Sequence, residues 1–310
     1  MQPNFADRDG LIWFDGELKP WRECQTHVLT HTLHYGLGCF EGVRAYQTAN
    51  GAAIFRLHDH TRRLFDSAKI LGINIPFSLA EIDAAQKAAV ASNDLDHAYI
   101  RPMVFYGSEG MGLRADALKT HVIAAAWAWG SYMGEENMRN GIKVRTSSYT
   151  RHHVNITMTK AKANGNYMNS MLALQEALTG GADEALLLDP EGYVAEGSGE
   201  NIFIVRDGIL YTPELTSCLD GITRKTIFTL AKEHGLEVVE KRITRDEVLI
   251  ADEAFFTGTA AEVTPVRELD SRPIGAGSRG PITEMLQSDY FDLVHGRNEK
   301  FTDWVTLVKE

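Results

Sequence analysis

The sequence predicts a two-domain α/β (α+β) protein, each domain a mainly antiparallel sheet or barrel with packed helices. Three observations carry that prediction. The chain has 310 residues, and a prior of roughly 150 residues per domain gives two. Short apolar runs lead into Asp-Gly pairs at Asp15-Gly16 and Asp207-Gly208, the tight-turn chemistry of antiparallel hairpins. Between such runs lie capped stretches with apolar residues at helical spacing.

Composition narrows the partners. The formal charge is −11 with no run of basic residues, so a nucleic-acid backbone has little to bind. Val122 to Trp129, the longest wholly apolar run, has eight residues, too few for a membrane span. The first residues mix Asp7, Arg8, Asp9 and Asp15 with isolated apolar side chains, unlike a signal peptide. Cys24, Cys39 and Cys218 are an odd number at wide spacings, which suits reduced thiols in a cytoplasmic protein.

Residues 11–14 and the alternation after Asp15-Gly16 read as a first hairpin. His27, His31 and His34 follow, and helical spacing could make them metal ligands. Without a His-Glu-x-x-His or a carboxylate at ligand spacing, ordinary hydrogen bonds are the better reading, and no metal is expected. Three glycines among aromatics, from Tyr35 through Phe40 and Gly42 to Tyr46, permit the close backbone approach that a ring-binding pocket needs. Asp59 can cap a helix to about Gly72 with Leu64, Phe65, Ala68 and Leu71 on its buried stripe. Of Arg62 and Arg63, one can face solvent while the other turns toward an anion. Ser78 to Glu81 is a capping box before a helix to about Ser92.

Tyr99 to Tyr106 reads as a strand with Tyr99, Arg101, Met103 and Phe105 on one face. A buried arginine there needs a partner, either a structural carboxylate or a substrate's. Gly110-Met111-Gly112-Leu113 is a flexible loop, and Val122 to Trp129 is a strand. The polar, glycine-flanked stretch 130–141 reads as a linker between a small N-terminal domain, 1–129, and a larger C-terminal domain, 142–310. Met168, Met171, Leu172, Gln175 and Leu178 repeat at helical spacing until Gly180-Gly181. Segments 184–188, 201–205 and 209–211 read as antiparallel strands. Gly221-Ile222-Thr223 opens a helix from Arg224 to His234 whose free N–H groups suit a phosphate, and Phe256 to Glu262 makes another N–H-rich turn.

The chemistry centres on Lys160 and Lys162, in a small-residue turn with Gly165, and on Glu196 downstream. A lysine in such a turn can form an imine with a flat aldehyde cofactor, and a carboxylate can hold the far side of its ring. An arginine, a helix N-terminus and ring-lining aromatics complete the set that pyridoxal phosphate chemistry demands.

The chain resembles the branched-chain amino acid aminotransferases of the class IV, or fold type IV, pyridoxal phosphate enzymes. The resemblance is carried by His31-Thr-Leu-His34-Tyr35-Gly36, Phe40-Glu41-Gly42-Val43-Arg44, Tyr99-Ile100-Arg101-Pro102, Gly110-Met111-Gly112 and Trp129-Gly130-Ser131-Tyr132-Met133-Gly134. It continues through Lys162-Ala-Asn-Gly-Asn-Tyr167, Glu196-Gly-Ser-Gly-Glu-Asn201, Gly221-Ile222-Thr223-Arg224 and Gly258-Thr259-Ala260-Ala261-Glu262. It implies a fold type IV architecture and transamination of leucine, isoleucine and valine with 2-oxoglutarate. Lys162, five residues before Tyr167, matches the Schiff-base lysine. Glu196 matches the partner of the pyridine nitrogen, and Tyr167 that of the ring's phenolic oxygen. Arg63, the amides of Ile222 and Thr223, and Thr259 match the phosphate cup of pyridoxal 5′-phosphate, with Leu219 against the ring.

For the substrate, the resemblance assigns the α-carboxylate to Thr259-Ala260 and Tyr99, and a glutamate side chain to Arg101. The apolar pocket matches Phe40, Gly42, Met111, Trp129, Tyr132 and Tyr167, with Tyr35 and Leu113 supplied by a neighbouring subunit. A homodimer or higher homo-oligomer with a shared active site follows. Ala128, where the family's proline is expected, and Leu113, where valine is common, bear on the ranking of substrates. Other fold type IV enzymes, namely D-amino acid and R-amine aminotransferases and aminodeoxychorismate lyases, share the lysine and glutamate but not the whole set.

Overall fold

The computed structural model describes residues 4–130 and 133–309 and divides into two compact units. The first holds the residues up to Trp129, Ala161–Gly165, and those from Val294 on. Its elements are β1 (Leu11–Phe14), β2 (Glu17–Pro20), α1 (His31–Tyr35), β3 (Gly38–Phe40), β4 (Val43–Thr48), β5 (Gly51–Phe55), α2 (Leu57–Ile70), α3 (Leu79–Ala91), β6 (Ala98–Tyr106) and β7 (Thr120–Trp127). A last strand, Val305–Leu307, adds to β5. Among the described residues these strands form one sheet in the order Val305–Leu307, β5, β4, β6, β7, β1, β2, with β3 also on β6.

The first hairpin is as expected. Asp15 at φ 50° and Gly16 at φ 106° put both turn residues in the left-handed region, and β1 pairs with β2 from Phe14↔Glu17 outward. Helix α2 starts earlier than Asp59 implied. Arg56, itself left-handed at φ 53°, is the N-cap, and Asp59 sits in the first turn, where it pairs with Arg56 and complements the helix dipole. Leu64 and Ala68 are buried, with Phe65 and Leu71 packed against the same core. Helix α3 carries the complete Ser78–Glu81 capping box. Ile82, Ala85 and Ala89 of α3 join Ile54, Ile100, Val104 and Val122 of the sheet in that core.

The second unit comprises Gly130–Lys160 and Asn166–Leu293. It contains α4 (Glu135–Asn140), β8 (Ile142–Thr146), α5 (Val154–Thr157), α6 (Tyr167–Thr179), β9 (Glu184–Leu188), β10 (Val194–Gly197), β11 (Asn201–Arg206), β12 (Ile209–Thr212), α7 (Ile222–Glu233), β13 (Val238–Glu240), α8 (Arg245–Leu249), β14 (Glu253–Gly258), β15 (Glu262–Leu269), β16 (Arg272–Pro273) and α9 (Pro281–Val294). The sheet runs β10, β9, β8, β15, β14, β11, β12, β13, with β16 on β15.

Its ladders are mixed. β8 lies parallel to β9 and β15, and β12 parallel to β13. A parallel pair needs a crossover of a dozen or more residues, and α5 with α6, then α7, supply two of these. The 130–141 stretch also differs from a plain linker. It holds α4, whose Met138 is buried and whose Met138 carbonyl accepts a bond from Gln287 Nε2 at 3.0 Å.

Helix α6 inverts the usual size rule. Its buried side is Ser170, Ala173 and Ala177, packed on Ala185 and Leu187 of β9, while Met168 and Met171 are each 70% exposed. Small residues let the helix lie close to the sheet, so the apolar repeat read from sequence marks its outer side. Helix α7 begins at Ile222 with Gly221 as N-cap, two residues ahead of Arg224, and buries Ile227, Leu230 and Ala231 as expected. No helix among the described residues is long and apolar enough to cross a membrane.

The Ser78 hydroxyl accepts the Glu81 N–H while Glu81 Oε2 accepts the Ser78 N–H. Ser78→Ala is therefore expected to lower stability by about 1 kcal/mol, read from urea unfolding. An unchanged midpoint would show that the box contributes nothing in this context.

Candidate active site

In the first unit, the Lys162 turn is woven into the N-terminal sheet by its backbone. The Phe40 N–H donates to the Lys162 carbonyl at 3.1 Å, Cys39 bridges Ala163, and the Gly165 N–H donates to Gly36 O at 3.2 Å. The Lys162 N–H in turn donates to Ser67 Oγ on α2 at 3.0 Å. These bonds fix the main chain and leave the side chain half-buried, with Nζ 5.1 Å from the Phe40 ring centroid. Gly36 at φ 71° caps α1, and a Cβ there would lie 3.2 Å from Gly165 Cα. Only glycine allows this approach without displacement.

Lys160 lies in the second unit. Its Nζ donates to the carbonyls of Leu215 and Cys218, and burial pulls its pKa down against the nearby charges of Asp220 and Glu196. Its ammonium is engaged with the main chain of the 215–218 loop.

Arg101 on β6 sits over Phe40 at 4.5 Å and over Tyr99 at 5.3 Å, and its Nη2 donates to the Tyr99 hydroxyl at 3.1 Å. Trp129 packs on Tyr99 with ring centroids 4.4 Å apart. Gly42 admits the Tyr99 hydroxyl, which would be 2.1 Å from any Cβ at that position. Arg101 has no carboxylate partner among the described residues, and its Nε is buried without a hydrogen bond. A half-buried guanidinium with a spare donor, set against two aromatic rings, has the chemistry to accept a carboxylate.

The inward arginine of α2 is Arg63, while Arg62 is exposed. Arg63 meets an anion within its own unit: Nε and Nη2 donate to the two oxygens of Glu41 at 2.7 and 2.9 Å. Glu41 is fully buried and also pairs with His60 Nδ1 at 2.8 Å. Burial opposes ionisation of Glu41, but the Arg63 charge and the bonds from His60 and Arg63 outweigh it and hold the carboxyl well below the usual carboxylate range. Burial pushes the His60 pKa down against the pull of Glu41, so the imidazole stays neutral. This network fixes the orientation of Arg63.

Tyr35 and the 110–113 loop are also joined. Gly112 donates its N–H to the Tyr35 hydroxyl at 3.2 Å, and its carbonyl lies 2.7 Å from His31 Nε2. Met111 is 51% and Leu113 90% exposed. His27 and His34 likewise bond the main chain, at Leu29 N and Val28 O. Tyr132 lies outside the described residues.

In the second unit, Glu196 is at the end of β10, nearly buried. Leu219 donates its N–H to Oε2 at 3.2 Å, and Arg151 Nε lies 3.1 Å from Oε1, off the hydrogen-bond axis. Asn201 Nδ2 donates to the Leu219 carbonyl at 2.9 Å, and Asn201 Oδ1 lies so close to Gly221 that a Cβ there would be 2.0 Å away. Asn201 also pairs with Thr257 across β11 and β14. Glu196, Leu219 and the Gly221–Thr223 start of α7 thus form a connected set beside the β14 end that leads to Thr259 and Ala260. No side chain caps α7 and its first turn holds no acid, so the amides of Ile222 and Thr223 face no competing anion from their own turn. Tyr167 opens α6 and is half-buried.

The sequence reading did not single out Arg151 or the pairing of His60 with Glu41. No spacing marks Arg151, because its contacts come from α6 and the 196–198 turn, far along the chain. His60 lies three residues before Arg63 on one helix face, a usable but weak signal.

Comparison with known proteins gives these features a family. The family model Amino-transferase class IV matches residues 38–269, and the chain belongs to that family, among its branched-chain amino acid aminotransferases. It is 72% identical over 306 residues to the branched-chain-amino-acid aminotransferase of Pseudomonas aeruginosa, covering 99% of this chain and 100% of the relative. Among solved structures, a T.th. branched-chain amino acid aminotransferase with pyridoxamine 5′-phosphate superposes with a TM-score of 0.95 at 49% identity, covering 97% of this chain and 99% of that one. The same enzyme complexed with N-(5′-phosphopyridoxyl)-L-glutamate gives 0.94 at 48% identity, with the same coverage. The fold is therefore the fold type IV aminotransferase fold.

The pH dependence of stability follows from the Glu41 and His60 shifts. Both folded pKa values lie below the unfolded ones, so in each case the unfolded chain binds protons first as pH falls, and stability drops. His60 contributes the loss that begins near its ordinary value of 6.5, and Glu41 the loss that begins near its ordinary value of 4.5. His60→Asn is expected to flatten the melting-temperature profile between these two values, measured by thermal unfolding across pH. An unaltered slope there would remove His60 from the account.

Proposed function

We propose that this protein transfers the amino group of leucine, isoleucine and valine to 2-oxoglutarate, giving branched-chain 2-oxo acids and L-glutamate, with pyridoxal 5′-phosphate held by Lys162. The observation that carries the reading is Arg101: a guanidinium with a buried, unpartnered Nε and no carboxylate partner among the described residues, set among Phe40 and Tyr99. A pocket that takes an alkyl side chain in one half-reaction and a carboxylate in the other needs an apolar lining with one cation in reserve. The T.th. enzyme's complexes with pyridoxamine 5′-phosphate and with the phosphopyridoxyl glutamate adduct support it.

The residues fit the cofactor. The uncapped α7 start and the glycine at 221, where no side chain fits, suit a phosphate. The nearly buried Glu196, kept by Arg151 and the Leu219 N–H, suits a protonated ring nitrogen. Arg63, the Ile222 and Thr223 amides and Thr259 would hold the phosphate, Tyr167 the phenolic oxygen, and Leu219 the ring face. When bound, the cofactor supplies an electron sink for the charge left on Cα when its proton departs. Once the substrate amine has displaced it from the cofactor, the free Lys162 Nζ would take the proton from Cα as general base and return it as general acid. Tyr99 receives the Arg101 N–H and can donate a hydrogen bond from its own hydroxyl to the substrate α-carboxylate, which the Thr259-Ala260 turn would also hold. Arg101 takes the distal carboxylate of glutamate or 2-oxoglutarate. Phe40, Gly42, Met111, Trp129 and Tyr132 shape the alkyl pocket.

The protein works in this reading as a homodimer or higher homo-oligomer in the cytoplasm. Tyr35 at 42% exposure and Leu113 at 90% would complete the partner's pocket, and the free thiols of Cys24, Cys39 and Cys218 suit a reducing compartment.

Three variants test the assignment. Lys162→Ala is expected to lose the visible absorption of the bound cofactor and leucine–2-oxoglutarate transamination, whereas Lys160→Ala keeps both. The reverse result would move the covalent bond to Lys160. Arg101→Met is expected to raise KM for 2-oxoglutarate by roughly tenfold or more, the value of one charge-assisted contact, while KM for leucine stays nearly constant. Equal changes in both would remove Arg101 from substrate selection.

A further inference from the structure

Arg151 is 3% exposed, and both terminal nitrogens of its guanidinium donate hydrogen bonds. Nη1 donates to Asn169 Oδ1 at 2.9 Å and to Ser170 Oγ at 3.2 Å, both in the first turn of α6. Nη2 donates to the carbonyls of Gly197 at 2.8 Å and Ser198 at 3.3 Å. Nε faces Glu196 Oε1 at 3.1 Å. Its own backbone N–H is tied to Leu188 O at 2.8 Å on β9, and Asn169 Nδ2 returns a bond to Thr150 O at 3.0 Å. The arginine therefore joins the helix that begins with Tyr167 to the strand end that carries Glu196.

We propose that Arg151 is a positioning residue for the reaction: it holds Glu196 in orientation and sets the spacing between Glu196 and the α6 turn carrying Tyr167. The inference rests on the reading above, in which Glu196 and Tyr167 hold opposite sides of the cofactor ring. A neutral or displaced Glu196 would lose the proton it keeps on the ring nitrogen. A planar fork is needed because three separate groups are held at once, and a lysine's single ammonium can satisfy only some of them. A second carboxylate, Glu184, is buried close by and accepts the N–H groups of Ala185 and Ser198. Burial raises the Glu184 pKa against the bonds from Ala185 and Ser198, with the Arg151 charge a smaller opposing influence.

The test is a double-mutant cycle on the holoenzyme: Arg151→Lys, Glu196→Gln, and the two combined. It reads the rate of pyridoxal phosphate release on dilution, the position of the visible absorption band, and the melting temperature. Arg151→Lys is expected to speed release by roughly tenfold, the worth of one charge-assisted contact, and to shift the band. In the Glu196→Gln background the same change is expected to fall within about twofold. Equal losses in both backgrounds would mean that Arg151 is merely structural and would overturn the proposal. A wild-type band and release rate in Arg151→Lys would overturn it too. Should Arg151→Lys melt too low to hold cofactor, Asn169→Ala and Ser170→Ala, which loosen Arg151 without removing its charge, carry the same comparison. If Glu196→Gln alone leaves both band and release rate unchanged, the ring-nitrogen reading itself fails, which is distinguishable from failure of Arg151 alone.

Discussion

A carboxylate taken out of water must be given a cation and N–H groups, and each unit of this protein does so once at its candidate site. In the first unit Glu41 is enclosed by Arg63 and His60. In the second, Glu196 is enclosed by Arg151 and the Leu219 N–H. Leaving either carboxylate without its arginine would cost about 3–5 kcal/mol, the typical penalty for breaking a buried pair, so the surrounding backbone is built to keep both arginines in place. The pairs need not add net stability over apolar packing. Their value is orientation, because each fixes a charged group that an aldehyde cofactor with a phosphate tail would require.

Arg101 is the counterexample on which the proposed specificity rests. Like Arg63 it is half-buried, yet it meets rings and a hydroxyl where Arg63 and Arg151 meet carboxylates. Among the described residues no carboxylate meets it. The glycines at 42 and 221 serve the same economy of space, since a methyl at either would strike Tyr99 or Asn201.

Much of this was legible in the chain. The hairpins at Asp15-Gly16 and Asp207-Gly208, the capping box at Ser78 and the buried stripe of α7 are local signals, and they appear where local physics puts them. Arg101 was also legible, because strand alternation placed it among aromatics. What failed was non-local. The start of α2 moved because Arg56 adopts a left-handed cap that no propensity favours. The apolar repeat of α6 faced outward because alanines make the closer packing. The parallel ladders of β8 and β12 arise from crossovers that strand patterns do not reveal. Arg151 was invisible because its partners lie eighteen and more residues away.

The central claim is that Lys162, not Lys160, bears the cofactor while Lys160 braces the 215–218 loop. Borohydride reduction of the holoenzyme followed by peptide mapping by mass spectrometry tests it directly. The account predicts the phosphopyridoxyl mass on the Lys162 side chain, with Lys160 unmodified. The same mass on Lys160, or on neither lysine, would contradict it.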